Sequence, residues 1–141
     1  MAWSWLTFWR RLGGPNVGHA RRLFQQQRER LELKFFQAAA ASGKPRGLRW
    51  KAIDWESGAE FARERASGQL AALVGVTIRF EAVEGSDMEG LPAVGNLRNA
   101  SAVFFFHRQR WHTTGRTVFN LNPDEALAHF HNQYERLPSS A

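Results

Sequence analysis

Residues 74 to 82 alternate. Val74, Val76, Ile78, Phe80 and Ala82 fall on one side of an extended chain, with Thr77, Arg79 and Glu81 on the other. Successive side chains of a strand point to opposite faces, so this stretch predicts a long, half-buried strand over about 70–84. Upstream, Ala66, Ser67, Gly68 and Gln69 read as a turn joining it to residues 59–65 in a hairpin. Ser57 with Glu60 also fits a capping box, which leaves a short helix over 58–66 as the alternative. Residues 48–55, with Trp50, Ile53 and Trp55, read as a further strand. The Gly- and acid-containing stretch 85–96 reads as a loop. Residues 99–107 and 110–120 form a second hairpin pattern through Arg108 and Gln109, and Thr114 with Gly115 marks a turn or bulge inside it.

The period changes on both sides of this sheet. Between the breaks at Gly13, Gly14 and Pro15 and at Ser42 to Gly47, the residues Phe24, Leu31, Phe35 and Ala38 fall on one face of a helix over about 17–41. Leu23, Leu33 and Phe36 broaden that stripe, and Arg21, Arg22, Gln26, Arg28, Glu29 and Glu32 are mostly left to solvent. The last element carries the sharpest boundary: Asn122 as N-cap, Pro123 in the first turn and Glu125 to complete a capping box. Leu127, Phe130, Tyr134 and Leu137 then give an apolar face to a helix over about 123–136. The fold class expected is α+β: an N-terminal helix, an antiparallel sheet of about four or five strands and a C-terminal helix. By element order it is cystatin-like or NTF2-like. The expected organisation is an arm over 1–15 and one domain over 16–141.

A chain of 141 residues can bury a core without staples, and it has no cysteine. A disulfide framework, a thiolate zinc site and a cysteine nucleophile are thereby excluded. No stretch approaches the roughly 20 apolar residues that span a bilayer, and no secretory signal pattern is expected from the N-terminus.

Charge is uneven along the chain. Residues 1–51 hold eleven Arg or Lys against two acids, and residues 52–141 hold eight against eleven, so +9 and −3 sum to the formal +6. Before Arg10 and Arg11 stand Trp3, Trp5, Phe8 and Trp9. Bulky rings beside fixed positive charge fit a protein interface, where Trp and Arg are over-represented, or the headgroup layer of an anionic membrane. The same residues suit stacking on bases, and packing back onto the body is the plain structural alternative. Arg21, Arg22, Arg28, Arg30 and Lys34 wrap more than half of a helix circumference, which suits solvation better than a phosphate-tracking stripe. Nucleic acid is not the expected partner.

Other candidates are weaker. His129 and His131 lie two apart on an expected helix, about 200° around, and cannot converge on one ion. His107 and His112 can meet across their hairpin. Glu81, Glu84, Asp87 and Glu89 cluster around Gly85 and Gly90 without the spacing of a calcium loop. Glu60 and Glu81 can be imagined as a carboxylate pair across neighbouring strands. No phosphate loop, nucleophile elbow or metalloprotease histidine pair is present. No cofactor, metal or catalytic residue is expected.

Gly47 to Trp50, the run FARERASGQLAALVGVTIRFEAVEG from Phe61 to Gly85, AVGNLRNASAVF, and FNLNPDEALAHF from Phe119 to Phe130 together resemble a group of small planctomycete-type bacterial α+β proteins. The resemblance covers about two thirds of the chain and excludes the arm. It implies no site residues, and a bacterial, intracellular setting. The expectation is a non-enzymatic binding or accessory protein that acts by protein association, as a homo-oligomer or within a larger assembly, through Trp3, Trp5, Phe8, Trp9, Arg10 and Arg11. The alternatives are peripheral attachment of a cytoplasmic protein to an anionic membrane by the same residues, and a small enzyme or ligand binder with a sheet cavity.

Overall fold

The computed structural model describes residues 16–138. Helices α1 (Val17–Gln26) and α2 (Arg28–Ala41) lead into strands β1 (Leu48–Trp55), β2 (Glu60–Glu64), β3 (Leu70–Ala82), β4 (Arg98–His107), β5 (Arg110–His112) and β6 (Thr117–Phe119). Helix α3 (Pro123–His129) and strand β7 (Tyr134–Arg136) follow, and one 3-10 turn at Pro92–Gly95 precedes β4. Every strand pairing is antiparallel. The α+β class and the antiparallel sheet are as expected, with seven strands in place of four or five.

Strand β3 is the spine. It is paired along both edges: β4 lies along one, and the other is shared by β2 over Leu70–Leu73 and β1 over Val76–Ala82. The handover falls at Gly75, whose carbonyl accepts from Glu56 N at 2.9 Å. The Glu56 carboxylate lies where a side chain on Gly75 would start, so a larger residue there would require this exposed side chain to swing aside. Residues 60–64 are the strand of the first hairpin, and the short-helix alternative does not form.

One face of the sheet is closed by α1 and α2. Leu70, Ala72, Val74, Val76, Ile78 and Phe80 of β3 and Ala100, Ala102, Phe104 and Phe106 of β4 meet Phe24, Leu31 and Phe35 there. Phe24 packs edge-on against Phe61, Phe104 and Trp111, with ring centroids 5.6, 5.3 and 5.1 Å apart. Edge-to-face geometry of this kind adds to burial alone. The opposite face is covered only in part, by α3, which seats Ala126 and Leu127 on Ala71, Leu73 and Val103.

The single helix expected over 17–41 is two. Phe24 and Phe35 both touch Phe104, at 5.3 and 5.8 Å between centroids. Eleven residues of straight helix span about 16 Å, and the helix axis between the two rings is interrupted. It bends at Gln27 (φ −100°, ψ 10°). Arg28 then turns inward, donating to Glu32 at 2.8 Å, to Ser57 O at 3.0 Å and to Glu56 O. Leu33, placed by the sequence on the apolar stripe, is 58% exposed.

The C-terminal helix is also shorter than expected. The capping box forms as read, with Glu125 N donating to Asn122 Oδ1 at 2.8 Å and Asn122 N to Glu125 Oε1 at 3.0 Å. The helix stops at His129, and Tyr134–Arg136 becomes a strand on β2. That pairing uses the otherwise open edge of β2. It also sends Tyr134 to the α3 side and Leu137 to the α1 side of the sheet, which one helix face cannot do.

Candidate functional site

The residues singled out from the sequence, Trp3, Trp5, Phe8, Trp9, Arg10 and Arg11, lie outside the described residues. The body meets them at Asn16, whose Oδ1 accepts from His19 N at 3.0 Å and caps α1. Immediately beyond this cap, α1 forms one wall of a groove of about 720 Å³. Arg21, Arg22, Gln25 and Gln26 stand on the helix side, and Gly58, Ala59, Glu60, Phe61 and Leu137 form the rest. The groove exists because Leu137 N donates to Phe61 O at 2.9 Å and holds the end of the chain beside β2.

Arg21 is the central side chain. Its guanidinium lies 5.2 Å from the Phe61 ring centroid and donates to Pro138 O, while its Nε is buried without a partner among the described residues. Glu60, at the rim, is 3.4 Å from Arg136, which also holds Asp124 at 2.6 Å. Guanidinium groups over an aromatic and aliphatic floor suit a carboxylate- or phosphate-bearing group joined to an apolar body. Arg21 and Arg22 were both expected in solvent; Arg22 is exposed and Arg21 is half-buried. Phe61 and Leu137 lie far from them along the chain, so no local spacing could have marked the groove.

Among the described residues, the space between the helices and β3–β4 is occupied by packed aromatic rings. His107 and His112 do meet, with ring centroids 6.2 Å apart and His112 Nε2 3.2 Å from His107 O. No group of three or more potential metal ligands occurs among the described residues. The imagined Glu60–Glu81 pair does not form: Glu60 lies opposite Leu73, and Glu81 lies opposite Arg49, which it binds at 3.2 Å. Within the acidic loop, Glu89 accepts from Gly85 N. Among the described residues no helix is long and apolar enough to cross a membrane.

No protein-family model, no curated protein and no solved structure matches the chain, so its site is defined by its own residues alone.

Proposed function

We propose that the chain is a non-enzymatic binding or accessory protein that acts by protein association, with itself or within a larger assembly, through its aromatic and basic N-terminal segment. One observation carries this reading. The two apolar clusters close with residues drawn from Val17 to Leu137, and the large apolar side chains left exposed, Leu33, Leu91 and Leu97, are scattered. Both clusters thus close with residues of the described body, which favours a role for Trp3, Trp5 and Trp9 outside its core.

The groove beside α1 offers an apolar floor near their attachment point, and Arg21 and Arg22 on its wall oppose them. Arg10 and Arg11 would face Arg21 and Arg22 there, so the segment is left for another molecule. The layout, helices over one face of an antiparallel sheet, is in keeping with a cystatin-like or NTF2-like arrangement. Such a likeness supplies no function by itself.

Deleting residues 1–14 tests the reading. Light scattering on the full chain should give a mass above one protomer, or a mass that rises with concentration, and the truncated chain should run as a folded monomer. An unchanged mass in the two chains, with no partner retained by either, would refute it.

A further inference from the structure

We propose that the end of the sheet carrying the β2–β3 and β4–β5 turns is a docking face for an anionic lipid surface. Register brings three stretches to this end. Ala71 lies opposite Phe105, and β5 doubles back at Arg108–Gln109, so turns 65–69 and 107–110 are neighbours. Glu64 pairs with Tyr134, and Arg65 Nε donates to His131 O at 2.9 Å, which adds residues 129–133.

These stretches contain Arg65, Arg108, Arg110, His107, His129 and His131, and no Asp or Glu. All six side chains are exposed, and none of the three arginines is ion-paired among the described residues. The flanking carboxylates have other neighbours: Glu64 accepts from Ser67 Oγ at 2.6 Å, and Glu135 lies opposite Arg63. At the far end of β3, about 40 Å away at the usual rise per residue, loop 83–97 holds Glu84, Asp87 and Glu89 with no Lys or Arg. The body thus presents one cationic end.

Two further observations point outward at this end. Arg108 and Gln109 both have positive φ, 51° and 64°, in a two-residue hairpin turn. Asn-Gly takes that conformation at lower cost, so the strain keeps two long polar side chains at the tip. In addition, Trp111 Nε1 donates to Ala20 O at 2.8 Å, which fixes the start of α1 directly behind Arg110. This bond anchors the hairpin to the helix layer and leaves Arg108 and Gln109 at its free tip. Three separate turns make a multipoint surface rather than a continuous track for a nucleic-acid backbone.

The test is flotation of the full-length chain with phosphatidylcholine vesicles, alone or with added phosphatidylserine, at low and physiological salt. The wild-type chain should float on the anionic vesicles only. An R65Q/R108Q/R110Q variant with unchanged circular dichroism should lose affinity about 100-fold, from the usual contribution of each arginine near an anionic surface. An R49Q/R79Q variant, altered away from this end, should lose much less.

Equal losses in both variants would reduce the effect to net charge and overturn the docking face. So would wild-type flotation on neutral vesicles, absence of flotation, or tighter retention on RNA than on vesicles. A lipid-free rise in mass abolished by E84Q/E89Q would assign the face to the acidic loop of a second copy instead. Failure of the association reading leaves a different trace, an unchanged mass on removing residues 1–14, and does not bear on the arginine variants.

Discussion

Gly115 offers the sharpest test of how the helix layer sits on the sheet. It lies between β5 and β6 with φ +81°, and a Cβ there would fall 2.5 Å from Ala39 N and 2.8 Å from Ala38 C. Both are backbone atoms of α2, so no side-chain rotation relieves the contact. Gly68 shares the conformation, φ +75°, with nothing within 4 Å of its would-be Cβ. Comparing alanine at the two positions therefore separates conformational cost from packing cost. Gly68→Ala should lose about 1–2 kcal/mol, the left-handed penalty alone. Gly115→Ala should lose that plus the roughly 1–3 kcal/mol of an overpacked contact, because α2 must lift away from the β5–β6 loop. Urea unfolding followed by circular dichroism measures both against the wild type. With a slope of about 1–3 kcal/mol per molar urea, the two midpoints should be readily resolved. Losses equal within about 0.5 kcal/mol, a spread usual for surface changes, would show that α2 is not seated on Gly115.

Two further substitutions probe other joints of the fold. Trp111→Phe removes the indole donor to Ala20 O, in a side chain that is 1% exposed. It should lower stability by about 1–3 kcal/mol, read as a fall in Tm of several degrees with the sheet spectrum retained. Asn122→Ala should cost about 1 kcal/mol. Because its capping bonds with Glu125 are reciprocal, the double variant with Glu125→Ala should cost less than the sum of the two single changes in chemical unfolding.

What the sequence made legible was local. The alternation through β3, the turn at Arg108–Gln109 and the Asn122–Glu125 box each depend on neighbours within a few residues, and each forms where its pattern lies. What it hid was set at long range. The break at Gln27 lies between Phe24 and Phe35, which pack on the same distant ring, Phe104. Tyr134 and Leu137 keep helical spacing with Phe130, yet Tyr134–Arg136 pairs with the edge of β2 as a strand and Leu137 N bonds Phe61 O just beyond it. Gly115 carries no local signal beyond a turn, because its constraint comes from α2. The groove was hidden for the same reason: its floor and wall are far apart in the chain.

Charge shows the difference between sequence and space most clearly. Along the chain the basic half is residues 1–51 and the acidic half residues 52–141. In the folded body several arginines of the basic half are already engaged: Arg21 on Pro138 O and Phe61, Arg28 on Glu32 and two carbonyls, Arg49 on Glu81. The cationic end is built instead from Arg65, Arg108 and Arg110, all members of the formally acidic half. Antiparallel pairing is the cause, since each hairpin returns its turn to the same end of the sheet and leaves the loop between β3 and β4, with its three carboxylates, at the other. A charge segregated along β3 orients the molecule against an anionic surface, whereas the same charges mixed over both ends would only attract it.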